Sequence, residues 1–123
     1  MKILLVEDEE ILADVMQEKL VEAKFTVDLA TDGEMALQKA AHSHPDLIML
    51  DLLLPKKDGF EVLKELKADA KLKNIPVVVL SNLGQDEEIK KALQLGAVDY
   101  LVKTQHPINE VVEKIKAFIL KGK

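Results

Sequence analysis

The sequence predicts an α/β fold: a doubly wound, five-stranded parallel sheet with strand order 2-1-3-4-5, the flavodoxin-like arrangement. Three observations lead there. Short apolar runs and helix-period segments alternate five times along 123 residues, with no linker or low-complexity stretch between them. Most of the runs are apolar throughout, as strands buried on both faces of a parallel sheet are. One run alternates instead, which marks a half-exposed strand at a sheet edge. Strand-helix alternation gives a parallel sheet covered by helices on both faces, and right-handed crossovers restrict how it winds. The alternating run is second in sequence and is placed at an edge beside the first strand. Ligands of such sheets sit beyond the carboxyl ends of the strands, where the winding reverses between strands 1 and 3.

The elements follow in order. Ile3 to Val6 is the first strand and stops abruptly at Glu7-Asp8-Glu9-Glu10. Ile11, Leu12, Val15, Met16 and Leu20 then fall at helical spacing, and acids at that helix's start suit its dipole. Phe25 to Ala30 is the alternating strand. Thr31-Asp32-Gly33-Glu34 reads as a capping box with Thr31 as N-cap and Glu34 at N3. The helix it opens runs to about Ala41 and is broken by His42-Ser43-His44-Pro45. The third strand covers about Leu47 to Leu52. Asp58 caps a helix carrying Phe60, Val62, Leu63 and Leu66. Lys71 to Asn74 is a polar connection. Ile75 to Ser81 is a β-branched fourth strand with Pro76 near its start. Asp86 to Leu95 is a helix stopped by Gly96. Val98 to Val102 is the fifth strand, and Lys103 follows it. Pro107 opens the last helix, whose apolar face is Ile108, Val111, Val112, Ile115 and Ile119.

Composition narrows the function classes. The length fits one domain, residues 1–123, with a real core. There is no cysteine, so neither a disulfide framework nor a thiolate metal site is available. A net charge of −5 argues against direct nucleic-acid binding. Every strong base is a lysine; the absence of arginine weakens any reading that needs a guanidinium clamp. No secretory pattern or membrane-length apolar stretch is present, so the expectation is a cytoplasmic protein with no membrane contact.

One residue stands out. Residues 47–54 read Leu-Ile-Met-Leu-Asp-Leu-Leu-Leu, with Asp51 alone among apolar side chains. An ionised carboxylate is costly to bury without partners. Pro55 and Asp58-Gly59 end the strand just after it, which places Asp51 where a buried strand opens into a cleft. The other strand ends bring Glu7, Asp8, Ser81 and Lys103 to the same crevice. Clustered carboxylates repel and call for a cation, and oxygen donors without Cys or nearby His select a hard ion, Mg²⁺ above all. Ser81 and Lys103 supply a hydrogen bond and a positive charge for phosphoryl oxygens, and Asp51 could attack phosphorus to form an aspartyl phosphate.

These residues resemble the receiver domain of two-component response regulators, over the whole chain. The matching pieces are Leu-Leu-Val-Glu-Asp-Glu-Glu at 4–10, Asp51 followed by Leu54-Pro55-Lys56-Lys57-Asp58-Gly59, Ser81, and Gly96-Ala97-Val98-Asp99-Tyr100-Leu101-Val102-Lys103. The resemblance implies that Asp51 is the phosphoacceptor and that Asp8 is a direct Mg²⁺ ligand, with Mn²⁺ able to substitute. It implies that Glu7 acts on the metal through water and the backbone carbonyl of Leu53 is a further ligand. Lys103 would pair with the acyl phosphate, and Ser81 and Tyr100 would be the switch residues. The donor would be a phosphohistidine on a sensor histidine kinase or phosphotransfer protein. The domain would be a signalling acceptor rather than an enzyme, promoting its own phosphorylation and slow dephosphorylation. It would signal through the surface of helix 4, strand 5 and helix 5 to an output protein, as a monomer or a phosphorylation-dependent dimer. Arginine–acid pairs often build that dimer in the winged-helix group, and this chain lacks arginine.

Two positions depart from the family pattern. Thr104 follows Lys103 where the family usually has proline, often in a cis peptide. A non-proline cis bond costs about 3–4 kcal/mol, so the Lys103–Thr104 bond is expected to be trans. Leu53 and Leu83 occupy the variable positions two residues after the acceptor and the switch hydroxyl. By the resemblance their side chains would overhang and shield the phosphoryl group, and neither can orient an attacking water, which predicts a comparatively long-lived aspartyl phosphate. Glu9 and Glu10 are read as helix-dipole and surface charge, and His42, His44 and His106 as solvent-exposed.

Other functions fit less well. A haloacid-dehalogenase-type phosphatase needs a second Asp two residues after the nucleophile, where this chain has Leu53. A flavin binder needs a hydroxyl- or glycine-rich phosphate loop after strand 1, where four acids stand. A degenerate receiver acting only as a scaffold would not need all five site residues. The sequence ends at Lys121-Gly122-Lys123 without an effector domain, which fits either a stand-alone receiver or one domain of a longer protein.

Overall fold

The computed structural model describes residues 1–121, with side chains through Leu120; Gly122 and Lys123 lie outside the described residues. The strands are β1 (Lys2–Val6), β2 (Thr26–Ala30), β3 (Leu47–Leu50), β4 (Val77–Ser81) and β5 (Asp99–Val102). The helices are α1 (Glu10–Glu22), α2 (Gly33–Ser43), α3 (Gly59–Ala68), α4 (Asp86–Gln94) and α5 (Ile108–Lys121). All strand pairs are parallel and the order is β2-β1-β3-β4-β5, as the patterning predicts.

Side-chain alternation along the strands divides the core in two. On one face Leu4, Val6, Ile48, Leu50, Val77 and Val79 pack under α2, α3 and α4. On the other, Ile3, Leu5, Met49, Val78, Leu80 and Leu101 pack under α1 and α5. Burial on both faces explains why β1, β3 and β4 lack polar alternation, while edge strand β2 keeps it.

Several local expectations are corrected. Strand β3 ends at Leu50, so Asp51 lies one residue beyond it, held in place by its N–H to the Val6 carbonyl at 3.1 Å. The N-cap of α2 is Asp32, whose carboxylate accepts the Met35 N–H at 2.8 Å. Moving the cap one residue past Thr31 puts Met35 at N3, and no capping box forms. That helix continues to Ser43 and ends on His44 in the left-handed region (φ 45°), before Pro45. Ile11 is 82% exposed: α1 buries the face of Ala13, Met16 and Leu20, and Ile11 lies off that face. Val98 lies outside β5 and is exposed. Strand β4 begins after Pro76, which has no N–H to donate but whose carbonyl accepts from Ile48. His106 is half-buried, its Nδ1 3.0 Å from Glu110, whereas His42 and His44 are exposed as expected. A single 3-10 turn at Lys103–Gln105 links β5 to α5, and the Lys103–Thr104 peptide is trans.

Candidate functional site

The site forms where the three central strands end together. Chain direction requires it: β1, β3 and β4 are parallel and in register at Val6, Leu50 and Val79, so the residues that follow emerge on one rim. Glu7 continues β1 and donates its N–H to the Ala30 carbonyl at 2.9 Å. Asp51 follows β3. Ser81 closes β4 opposite Val102, and Lys103 comes next.

Glu7 and Asp51 are 2% and 4% exposed, while Asp8 opens to solvent. One carboxylate oxygen from each of the three lies within 4.8 Å of the others. The Lys103 ammonium sits among them, 2.7 Å from Glu7 Oε1 and 2.8 Å from Asp51 Oδ2. The other Asp51 oxygen accepts the Leu53 N–H at 3.1 Å, so both acceptor oxygens are engaged. Burial raises the Glu7 pKa; the bond to Lys103 opposes this and the charge of Asp51 adds to it. Burial works to lower the Lys103 pKa, but its bonds to Asp51 and Glu7 outweigh that and the net shift is upward.

Glu9 was missed as part of this group. Its carboxylate lies 3.8 Å from the Lys103 ammonium and its N–H binds Glu7 Oε2 at 3.2 Å. Its neighbours Glu7 and Asp8 already accounted for the acidic run, and nothing in the run itself tells a fourth acid from a dipole partner.

The donor set fits a hard divalent cation. Three carboxylates face one ammonium, so the pocket keeps a net negative charge that a bound cation would neutralise, and every ligand atom of the cluster is oxygen.

Ser81 is fully buried and its hydroxyl accepts weakly from the Leu83 N–H at 3.4 Å. Tyr100 is half-buried and its hydroxyl donates to the Leu83 carbonyl. Burial pushes the Tyr100 phenol up to about 12; the charges of Glu88 and Asp51 add to this, and the Ser81 hydroxyl opposes it. Leu53 is 52% exposed, whereas Leu83 packs against the core.

The family model of the response regulator receiver domain matches residues 3–116. The chain is a response regulator receiver domain. Among curated relatives, the alkaline phosphatase synthesis transcriptional regulatory protein PhoP of Bacillus subtilis is 42% identical over 120 residues, covering 96% of this chain and 48% of that protein. The receiver thus spans about half the length of the curated relatives it matches. Among solved structures, the phosphorylated cyanobacterial phytochrome response regulator RcpA superposes with a TM-score of 0.86 at 38% identity, covering 99% of this chain and 95% of that one. The Mn²⁺-bound form of response regulator Rcp1 gives 0.78 at 33% identity, covering 95% and 90%. Phosphorylation by a kinase is the general function of receiver domains, which use Mg²⁺ at an acidic pocket. No helix among the described residues is long and apolar enough to cross a membrane.

Proposed function

We propose that this receiver accepts a phosphoryl group on Asp51 from the phosphohistidine of a sensor histidine kinase or phosphotransfer protein. The reading is carried by the Lys103 ammonium, set between Asp51 and Glu7 within an otherwise acidic pocket. An Asp51 carboxylate oxygen attacks phosphorus, the phosphorus–nitrogen bond of the donor breaks, and the imidazole leaves with that electron pair. Lys103 then exchanges a carboxylate for a phosphoryl oxygen. Asp8, Asp51 and the Leu53 backbone carbonyl would hold Mg²⁺ or Mn²⁺, with Glu7 acting through water, and the ion would supply positive charge against the negative charge gathered between acceptor and donor.

Ser81 and Tyr100 form the switch in this reading. The hydroxyl of Ser81 moves to the phosphoryl group, Tyr100 follows the freed space, and the α4–β5–α5 surface changes toward its output partner. RcpA is described as phosphorylated and Rcp1 as Mn²⁺-bound, which supports the same chemistry here. Residues 1–123 act as one receiver unit in the cytoplasm, monomeric or dimerising on phosphorylation, and reach output through protein contact.

Incubation with Mg²⁺ and a small phosphodonor, followed by intact mass measurement, tests this. Gain of one phosphoryl group, lost in Asp51→Asn, is expected. A folded chain that gains none would point to a degenerate receiver acting only as a scaffold.

A further inference from the structure

The loop between Asp51 and α3 is closed on itself and braced from outside. Gly59 donates its N–H to the Leu52 carbonyl at 2.9 Å. A Cβ at Gly59 would come within 2.4 Å of the Leu52 Cα and 2.5 Å of the Asp51 carbonyl oxygen. The start of α3 therefore backs directly onto the acceptor turn. The far side of the loop rests on α2, a helix that contributes no acid to the site. There the Gly33 N–H points to the Pro55 carbonyl at 3.4 Å. A Cβ at Gly33 would lie 2.1 Å from the Lys57 carbonyl oxygen and 2.8 Å from the Lys57 Cβ. Lys56, between those two loop residues, is held at φ 67° with its ammonium 3.8 Å from Asp32.

Gly33 has no positive φ, so its backbone conformation does not require glycine. Space does: a methyl group there has nowhere to go, because the obstructing atom is backbone and no rotamer change removes it. The loop must lift or α2 must retreat. The same loop carries Leu53, whose N–H fixes one oxygen of Asp51.

We propose that Gly33 is a positioning residue for the acceptor loop, letting α2 close on residues 55–57 so that Asp51 and the Leu53 carbonyl are held for metal binding and phosphoryl transfer. The inference rests on the Asp51 reading above. Supporting residues around a metal site typically change its affinity by about 10–100-fold, and small misplacements of reacting groups are amplified in rate.

The test uses the full chain in four forms: unaltered, Asp51→Asn, Gly33→Ala, and Ala40→Gly. The last is a buried α2 substitution about two helical turns beyond Gly33. Mg²⁺ affinity is read from backbone amide NMR titration and the phosphorylation rate from intact mass with a small phosphodonor. Gly33→Ala is expected to weaken Mg²⁺ binding about tenfold. It should slow phosphorylation at low Mg²⁺ and recover toward the unaltered rate at saturating Mg²⁺, while Ala40→Gly keeps the unaltered affinity. An unchanged Mg²⁺ affinity in Gly33→Ala overturns the proposal, as does an equal loss in Ala40→Gly. An unaltered chain that gains no phosphoryl group overturns the Asp51 reading and this inference with it. If Gly33→Ala does not fold, amide exchange on the unaltered chain decides. Mg²⁺ should slow exchange at Gly33 by about threefold or more and leave Ala40 unchanged; equal exchange at Gly33 with and without Mg²⁺ overturns the proposal.

Discussion

Lys103 is the residue on which the electrostatics of the pocket turn. It supplies the ammonium that touches both buried acids, and its side chain is only 10% exposed. Removing one member of a buried ionic group leaves the others uncompensated. Lys103→Met is expected to lose about 2–3 kcal/mol of stability without metal, toward the low side because the pocket opens to solvent at Asp8. Mg²⁺ should recover part of this, so the melting temperature of the variant should depend on Mg²⁺ more steeply than that of the unaltered chain. The pH dependence has a definite sign. The folded pKa of Lys103 is raised above 10.5, so its contribution is complete below pH 10.5 and is lost as pH rises through the folded value. Denaturation followed across that range in both proteins should show the extra alkaline decline only where Lys103 is present. Leu53 and Leu83 belong to the same scale. Changing both to polar residues is expected to shorten the acyl-phosphate lifetime by about tenfold or more, below the roughly 10²-fold or more of a fully positioned general base. Loss of the added phosphoryl mass over time measures it, and an unchanged lifetime would remove the shielding role.

At the level of elements, the joint between α4 and β5 depends on a left-handed glycine. Gly96 has φ 115°, and a Cβ there would lie 2.9 Å from Lys67 Cγ. The Lys67 stem runs beneath it to reach the Lys73 and Ile75 carbonyls at 3.0 and 2.9 Å, and burial lowers its pKa. Gly96→Ala therefore combines a disfavoured dihedral with a displaced side chain and is expected to cost about 1–3 kcal/mol, read by urea denaturation. The elements also show where local pattern is ambiguous. Thr31 and Asp32 are both good N-caps, and the choice of Asp32 rests on an extended backbone that the chain adopts on leaving β2. Ile11 has the spacing of a core residue, but the buried stripe of α1 runs through Ala13, Met16 and Leu20 and leaves Ile11 exposed.

For the whole molecule, two cores on opposite faces of one sheet make the central strands common to both. Ile48 is fully buried on the α2–α3–α4 face and its neighbour Met49 faces α1 and α5. Ile48→Ala is expected to cost about 2–5 kcal/mol with the urea m-value unchanged. At a temperature where the variant stays folded it should still accept a phosphoryl group, because Asp51 is held by Val6, Leu53 and Lys103 rather than by that side chain.

The sequence by itself determined the sheet, its order and the rim on which Glu7, Asp8, Asp51, Ser81 and Lys103 meet. Apolar runs without alternation, separated by helix-period segments, are satisfied between two helical layers, and parallel strands deliver their following residues to one side. The trans bond at Lys103–Thr104 was legible for the same kind of reason, a local energy too large for context to reverse. Tertiary structure alone decided the rest: the reach of Glu9 to Lys103, the half-burial of His106, the exposure of Leu53, and the contact of Gly33 with Lys57. Each depends on a distance of a few ångströms between segments far apart or weakly patterned in sequence, and hydrophobic periodicity fixes which face a residue takes but not what it meets there.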